Sequence, residues 1–486
     1  MAKVEIPFGE WLPSAPDFKN PGCVVADNVI PSTGGYNPFA ALVGQSQTVT
    51  GAVQGATQLF DNSGNSIIVG GTDDRLFIRR STITETTGLT SIGAGEAWDF
   101  AQFNDFVIAT ASGNSPQNLT DIDSDSTWSA LAASAPVAKR CAKVGDFLML
   151  GNVSGAPTRI QWSPFNSPAG DWTSSRLTQA GQADLDAELG EVQKIVGGRY
   201  ATVFQKRGVQ RLSYVGPPVV WRADIISKDR GAVAPFSVVS VGYLTFFLAQ
   251  DGFYVTNGAT IEPIGTQRVN KWFFDTVSQS EIAQTHGAID WQNECIVWAF
   301  KTSGTGYNRL ITYSWAQNRW ATATVDVGWV IGSTIDGIDL DSLDALYTDL
   351  DSIPYSLDSA EFKSKDRRLA AFVTGTSTSE YSTFTGDPME ASWETGEAQP
   401  SPAQRVFVSE AQPLMNASTW DAKFTLKMRD NTGSQSTSLE IETGWGGFAP
   451  VRGEGQKVAV RMVKPAGSFW EDAQGVQVQV RGAGFR

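Results

Sequence analysis

The sequence has few of the residues that common hydrolases and metalloenzymes use. Its 486 residues include three cysteines, Cys23, Cys141 and Cys295, and one histidine, His286. The cysteines are far apart and form no CxxC pair, so neither a disulfide framework nor a zinc site is predicted. No Gly-x-Ser-x-Gly elbow occurs, so a Ser-His hydrolase also lacks its parts. We therefore predict no enzyme, with no catalytic, cofactor-binding or metal-binding residues, and expect His286 to be a strand residue with a neighbouring hydrogen-bond partner.

Long apolar runs and long helical patterns are also missing. No run reaches the roughly 18 apolar residues of a membrane-spanning helix, and no apolar segment near Met1 indicates a secretory signal. No long stretch has the 3.6-residue period of an amphipathic helix. The 48 glycines and 26 phenylalanines favour many short strands joined by turns. We expect an all-β chain that is made in a reducing cytoplasm and does not insert into a membrane.

One unit recurs along the chain and is clearest in residues 234–265. Four short runs of β-branched and aromatic residues are separated there by Gly242-Tyr243, Asp251-Gly252 and Asn257-Gly258. Asp-Gly and Asn-Gly supply the positive φ angles of tight hairpin turns, which predicts a four-stranded antiparallel meander. Similar turns lead into apolar runs that are each expected to form a central strand, at 67–69, 106–109, 147–150, 200–204, 244–249 and 295–298.

These turns are 40, 41, 53, 44 and 51 residues apart, a spacing typical of four-stranded propeller blades. We predict a six-bladed β-propeller over residues 55–327. An extended arm is expected before it, over residues 1–54, because prolines punctuate that segment. After residue 369, alternating strand patterns predict a C-terminal β-sandwich-like domain over 369–486. A large sandwich of unrelated hairpins is the alternative to the propeller.

The charge pattern singles out residues 328–368 as an acidic segment that links or contacts subunits. The chain has a net charge of −14, and residues 328–361 contain eight acids and no base. A short basic group follows, which suits head-to-tail pairing of copies around a ring. A Ca²⁺ loop lacks EF-hand spacing, and a solvated loop is the other alternative. The subunit-interface candidates are Asp336, Asp339, Asp341, Asp344, Asp349, Asp351, Asp358, Lys363, Lys365, Arg367 and Arg368.

Several short segments resemble the tail hub, or nozzle, proteins of short-tailed bacteriophages, which are also described as packaged-DNA stabilization proteins. The resemblance touches nearly the whole chain, but each motif is short and structural. The segments are Ile6-Pro7-Phe8-Gly9, Asn28-Val29-Ile30-Pro31, Gly35-Tyr36-Asn37-Pro38-Phe39, Trp162-Ser163, Asp171-Trp172, Asp251-Gly252-Phe253-Tyr254, Asn257-Gly258, Pro263-Ile264-Gly265, Val269-Asn270-Lys271-Trp272-Phe273-Phe274, the Leu-Asp repeat at 340–358, Lys464-Pro465-Ala466-Gly467-Ser468-Phe469-Trp470 and Gly475-Val476.

The resemblance implies a structural protein of the virion tail, present as a hexameric ring below a portal or adaptor protein. It also implies fibres, a spike or a needle on the lower face, and double-stranded DNA that passes through a central channel during ejection. The acidic balance agrees with a channel that does not grip DNA, because phosphate binding needs clustered Lys and Arg. Two other functions stay open: a monomeric propeller that binds carbohydrate or protein, and a propeller glycosidase, whose two carboxylates would come from distant positions.

Overall fold

The fold is all-β and propeller-like. The computed structural model describes residues 2–17, 20–302, 306–335, 366–401, 404–430, 433–444 and 446–483. Within these ranges the α-helical segment is Asn270–Thr276, and short 3₁₀ turns occur at Ala187–Leu189, Pro235–Ser237 and Ile282–Gln284. No helix in the described part of the chain is long and apolar enough to cross a membrane.

Five sheets consist of four antiparallel strands in chain order, and a sixth, larger sheet begins with four strands in the same arrangement. Sheet one consists of Ala56–Phe60, Ser66–Gly71, Leu76–Arg79 and Ile83–Thr86. Sheet two consists of Asp99–Phe103, Phe106–Thr110, Gln117–Leu119 and Ser129–Ala130. Sheet three consists of Ala138–Val144, Phe147–Val153, Ala156–Trp162 and Gly181–Asp184. Sheet four consists of Val192–Val196, Ala201–Gln205, Val209–Gly216 and Val220–Ser227. Sheet five consists of Val239–Val241, Leu244–Ala249, Gly252–Thr256 and Ile261–Pro263. Sheet six begins with His286–Asp290, Cys295–Phe300, Arg309–Ser314 and Arg319–Ala323.

Each predicted apolar run lies in the second strand of a different sheet. The first hairpin turns have the positive φ that their residues favour, for example 53° at Asn104 and 56° at Gly145. Tyr200 is the exception at the edge of its run, because it lies in the turn and the strand begins at Ala201. The second strands are buried on both faces because neighbouring sheets pack against them on either side.

A seventh sheet is present, so the expected count of six is not confirmed. It pairs Trp329–Ile335, Asp366–Thr374, Thr378–Pro388 and Ala40–Thr50 in that order. The segment expected as an arm, 1–54, therefore supplies a fourth strand to a sheet whose other three strands lie between residues 329 and 388. The first and second strands come from either end of the expected linker, 328–368, and the third comes from the start of the expected C-terminal domain. No local pattern reveals this sheet, because residues 336–365 separate its first two strands.

The seven sheets form a closed ring around one axis. The first strand of each sheet contacts the start of the next, and Trp329–Ile335 contacts both His286–Asp290 and Ala56–Phe60, which completes the circle. A separate group of buried apolar side chains lies between each pair of neighbouring sheets in the described structure. Burial of these groups holds the ring together, because a lone meander cannot cover both of its faces.

The remaining strands extend sheet six and build one further sheet. Cys23–Asp27 pairs in parallel with Arg319–Ala323 and antiparallel with Ala391–Thr395, and Lys457–Lys464, Lys423–Arg429, Ser436–Thr437 and Ile441–Glu442 continue the same sheet. The further sheet contains Val29–Ser32, Gly35–Pro38, Trp470–Gly482, Val406–Ala417, Gly453–Gly455 and Ala2–Pro7. The further sheet and the strands that extend sheet six share one apolar core, which also includes residues of sheet five and of the first four strands of sheet six.

Candidate functional site

Seven residues, six from the sheets and one from the turn before sheet five, meet at the axis of the ring. Six of them lie on the first strands of sheets or just beside them, because those strands are innermost. The seventh lies in the 3₁₀ turn Pro235–Ser237, which leads into sheet five. In sheet order the residues are Ala56, Asp99, Arg140, Lys194, Phe236, His286 and Trp329. We call them the axial cluster.

Phe236 occupies the axis itself. Its ring meets Trp329 edge to face, with centroids 5.3 Å apart. The Arg140 guanidinium carbon lies 4.9 Å from the centre of the Phe236 ring, and Lys194 Nζ lies 5.2 Å from it. Arg140, Lys194 and Trp329 come from sheets three, four and seven. A side chain that touches all three has to lie at the centre of the ring, where Phe236 and Trp329 divide the axial space.

Two contacts hold Trp329 in place. Its Nε1 donates to the backbone oxygen of Ala56 at 3.2 Å, and its ring stacks flat on His286. His286 is buried, and its Nε2 accepts from the backbone N–H of Val330 at 3.1 Å. His286 is therefore a strand residue with a neighbouring partner, as predicted. Burial lowers the pKa of His286 to about 3, so the ring is neutral near pH 7.

Asp99 and Lys194 form an ion pair across the axial cluster. Lys194 Nζ lies 2.5 Å from Asp99 Oδ1, and the Asp99 side chain is only 3% exposed. The other Asp99 oxygen accepts from the backbone N–H of Cys141 at 3.4 Å. The pair thus connects sheets two, three and four. Because breaking a buried pair leaves one charge uncompensated, it holds these sheets in one arrangement.

The Phe236–Trp329 contact separates two cavities. One lies on the side of the first hairpin turns, has a volume of about 360 Å³, and is bordered by Lys194, Asp99 and Trp291. We call it the hairpin-side cavity. The other lies on the side where one sheet connects to the next, has a volume of about 300 Å³, and is bordered by Arg140 and Tyr307. We call it the connection-side cavity. Both sizes are within or close to the range of small-molecule sites.

The acidic side chains and the histidine at the axis are each engaged by a neighbouring group. Asp99 holds Lys194, and His286 uses Nε2 to accept a backbone N–H. Within the connection-side cavity, Glu96 pairs with Lys139 at 2.6 Å and Glu281 pairs with Lys301 at 3.0 Å. In the described part of the chain, no group of three or more His, Cys, Asp or Glu side chains is placed to hold a metal ion. Burial raises the pKa of all three cysteine thiols, which keeps them protonated.

Nine of the eleven predicted interface residues lie outside the described residues: Asp336, Asp339, Asp341, Asp344, Asp349, Asp351, Asp358, Lys363 and Lys365.

Arg367 and Arg368 lie on the second strand of sheet seven, opposite Thr334 and Ser333. The Arg367 guanidinium carbon lies 5.2 Å from the ring centre of Trp291, and the Arg367 side chain is exposed. Arg368 is half-buried. Burial raises the pKa of the Asp290 carboxyl, and the positive charge of Arg368 opposes that rise. Successive residues of a strand point to opposite faces, so the two arginines do not form one basic surface.

Sequence reasoning missed the axial cluster, although a signal exists for two of its members. Lys194 is the one charged residue of Val192–Val196, and Arg140 is the middle one of three basic residues in Ala138–Val144, next to Cys141. A charged residue inside the first strand of a blade is therefore the signal, although in Ala138–Val144 the sequence does not separate Arg140 from Lys139 and Lys143. Asp99, Phe236 and Trp329 carry no comparable signal, because they lie at strand ends or in a turn.

No protein-family model matches the chain, and no curated protein matches it. Among solved structures, "YCF48 bound to D1 peptide" is similar at 10% identity with a TM-score of 0.36, covering 76% of this chain and 95% of that one. The extracellular domain of a proposed one-component system from B. thetaiotaomicron is similar at 11% identity with a TM-score of 0.38, covering 84% of this chain and 47% of that one. At these values neither similarity bears on function.

Proposed function

We propose that the chain is a structural subunit of a bacteriophage tail, a hub or nozzle protein that forms a hexameric ring around a DNA channel. In this role it retains packaged DNA and passes it during ejection, with a portal or adaptor protein above and fibres, a spike or a needle below. The sequence resemblance is the starting point for this function. We also propose that the C-terminal strands of the subunit form a β-sandwich.

The observation that carries the proposal is where the resembling segments meet. Phe8, from the first segment, stacks on Trp393 with centroids 5.3 Å apart, and Trp393 meets Trp470, from the last segment, at 5.1 Å. Trp272, from the segment 269–274, meets Trp11 at 4.8 Å. Segments more than 400 residues apart thus enter one apolar core. Packing at this joint accounts for the aromatic residues of these segments without a ligand.

This joint fastens the ring of sheets to the C-terminal strands. Cys23–Asp27 lies between Arg319–Ala323 and Ala391–Thr395, so one continuous sheet crosses from one part to the other. The Tyr36 hydroxyl donates to the backbone oxygen of Gly9 at 2.9 Å, which ties the beginning of the chain to the same core. A subunit that transmits force within an assembly needs this kind of rigid connection.

The axial cluster bears on where DNA would pass. Phe236 and Trp329 fill the axis with rings 5.3 Å apart, whereas the major groove of duplex DNA alone is about 12 Å wide. The axis of one propeller therefore has no room for a duplex. In a ring of copies, the channel has to lie between the copies, which agrees with a hexamer in which each propeller is one part of the wall.

Native mass spectrometry and negative-stain imaging of the purified protein test the proposal. We expect a particle of six times the 52.3 kDa chain mass, with a central pore. A monomer at all concentrations would contradict it and favour the monomeric binding module, for which the two axial cavities are the supporting observation. The glycosidase alternative gains no such support, since the carboxylates described in those cavities are each paired with a lysine.

A further inference from the structure

Arg140 is a buried cation whose hydrogen bonds go to backbone oxygens. Arg140 is 4% exposed. Its guanidinium donates to the backbone oxygen of Gln193 at 2.6 Å and to that of Lys139 at 3.1 Å. The nearest carboxylate of the axial cluster, Asp99, is already paired with Lys194. A guanidinium has five N–H donors, and these two bonds use two of them. Arg140 lines the connection-side cavity, where its remaining donors would meet a ligand.

Four charged residues line this cavity, namely Glu96, Arg140, Glu281 and Lys301. Glu281 pairs with Lys301, and Glu96 pairs with Lys139 just outside the wall, so Arg140 is the cation of the wall whose hydrogen bonds go to backbone oxygens and not to a carboxylate. Burial lowers the pKa of Arg140, which reflects the cost of holding a cation away from water. An anion inside the cavity would offset that cost, because a buried charge is stabilised by a partner that also makes hydrogen bonds.

The other residues of the cavity define what the anion has to carry. Phe236, Trp329 and Tyr307 border it with aromatic surface, and Val53, Val327 and Ala97 add small apolar patches. Its volume of about 300 Å³ suits a ligand of small-molecule size. Because Arg140 is the wall cation that has no carboxylate partner, and because aromatic side chains lie beside it, the cavity favours a molecule with one anionic head and an apolar body.

We propose that the connection-side cavity binds a small organic carboxylate. The carboxylate lies on the outer edge of the Arg140 guanidinium, whose planar fork matches its two oxygens. The apolar body lies against Phe236, Trp329 and Tyr307. The site is formed within one copy of the chain, so the proposal holds whether the protein is a ring subunit or a monomer.

Titration calorimetry with phenylacetate and phenylacetamide tests this site. The two probes have nearly the same shape, but only phenylacetate has a carboxylate. We expect phenylacetate to bind the full-length protein and phenylacetamide to bind at least roughly 10-fold more weakly, since it lacks the charge-assisted hydrogen bonds. Equal binding of the two probes, or no binding of phenylacetate up to about 10 mM, would overturn the proposal.

Two substitutions separate Arg140 from general electrostatics. Arg140→Met keeps much of the side-chain length and removes the charge, and we expect it to weaken phenylacetate binding roughly 10- to 100-fold. Arg159→Met is the matched control, because Arg159 is partly exposed and pairs with Asp184 at 2.7 Å. It should leave binding unchanged. Wild-type affinity in Arg140→Met would overturn the proposal.

A fluorescence measurement on the folded wild-type protein covers the case in which Arg140→Met does not fold. Phenylacetate should change the emission of Trp329, which borders the cavity, and this change should be absent in Trp329→Phe. Phenylacetate should also raise the melting temperature of the wild-type protein, because a ligand that binds only the folded state stabilises it. A melting temperature that does not respond to phenylacetate, or that responds equally to phenylacetamide, would contradict the site.

Discussion

His286 lies flat on Trp329, with ring centroids 4.1 Å apart and an angle of 1° between the planes. Trp329 in turn meets Phe236 at the axis, so the stack transmits the position of sheet six to the centre of the ring. The geometry requires a neutral imidazole, because Nε2 accepts a backbone N–H from Val330. A proton on that nitrogen would remove the acceptor and bury a charge.

The first prediction concerns pH. Burial lowers the pKa of His286 to about 3, whereas the pKa of histidine in an unfolded chain is about 6.5. Between these values, the unfolded chain binds a proton that the folded chain does not. The free energy of unfolding should therefore be unaffected by His286 above pH 6.5 and fall as the pH falls below it. The limiting slope is about 1.4 kcal/mol per pH unit.

Urea unfolding of wild type and His286→Gln between about pH 5 and pH 7 measures this slope. His286 is the only histidine in the chain, and most Asp and Glu side chains titrate at lower pH. Burial raises the pKa of the Asp290 carboxyl, but Asp290 is present in both proteins, so the difference between the two slopes isolates His286. Glutamine offers an oxygen to the Val330 N–H but does not titrate. We expect the pH dependence to be largely lost in His286→Gln. Equal slopes in the two proteins would contradict the prediction.

The second prediction concerns the ion pair of Asp99 and Lys194. Lys194→Met leaves the buried Asp99 carboxylate without its cation, and we expect a loss of about 3–5 kcal/mol in the free energy of unfolding. The double variant Asp99→Asn with Lys194→Met removes both charges and should lose less than the single variant. Denaturant unfolding of the two single variants and the double variant gives the coupling energy. Additive losses would show that the pair does not hold the sheets together.

The third prediction concerns Ala40–Thr50, which completes sheet seven as its fourth strand. Val49 is fully buried against sheet one and sheet seven, whereas Val43 on the same strand is 40% exposed. Val49→Asp places an unpaired charge in that core and should cost several kcal/mol of stability. Val43→Asp is the matched control and should change stability by about 0.5 kcal/mol or less. Similar melting temperatures for the two variants would argue against the placement of this strand in sheet seven.

The sequence predicts what is local in this fold. The run 106–109 is apolar and follows an Asn-Asp turn, and it lies within the strand Phe106–Thr110. The run 295–298 behaves in the same way within Cys295–Phe300. In both cases, residues within about ten positions decide the strand and its turn. Because the unit repeats, the propeller-like character could be inferred from six such segments.

Features that depend on distant pairing could not be predicted in this way. Ala40–Thr50 pairs with Thr378–Pro388, more than 300 residues later, and much of the strand is exposed. Its sequence resembles an arm because its partner is invisible from a local window. The axial cluster could not be predicted for the same reason, because its seven residues come from six sheets and from the turn before sheet five. Lys194 meets Asp99 only after three sheets have been placed around the axis.

The fourth prediction concerns assembly and depends on the proposed ring. Arg367 is exposed on sheet seven next to the acidic segment in sequence, so Arg367→Glu should weaken pairing between copies. Arg368 is less suitable for this test, because its positive charge stabilises the buried Asp290 carboxylate. A negative charge at position 368 would therefore also affect folding. Arg222→Glu is the control, since Arg222 is exposed at the edge of sheet four. Native mass spectrometry should show fewer hexamers for Arg367→Glu alone; an unchanged hexamer fraction at low and high salt would contradict the interface.

The fifth prediction concerns DNA. Six copies of a chain with a net charge of −14 carry about −84 in total. Duplex DNA carries one negative charge per roughly 1.7 Å, so a basic wall would hold it through many phosphate contacts. A channel that releases DNA needs a repelling or neutral wall. We expect its side chains to be mainly Asp, Glu, Ser, Thr, Asn and Gln.

A gel-shift assay with duplex DNA at about 150 mM salt tests this, because the Debye length there is about 8 Å and only close charge contacts persist. We expect no retention of the duplex at micromolar protein, with wild type and Arg367→Glu behaving alike. Retention by wild type that is lost in Arg367→Glu would contradict a passive channel wall and assign Arg367 to DNA binding. Retention by both proteins would require a basic surface elsewhere on the ring. In either case the duplex would be gripped, and the structure could not act as a channel through which DNA slides freely.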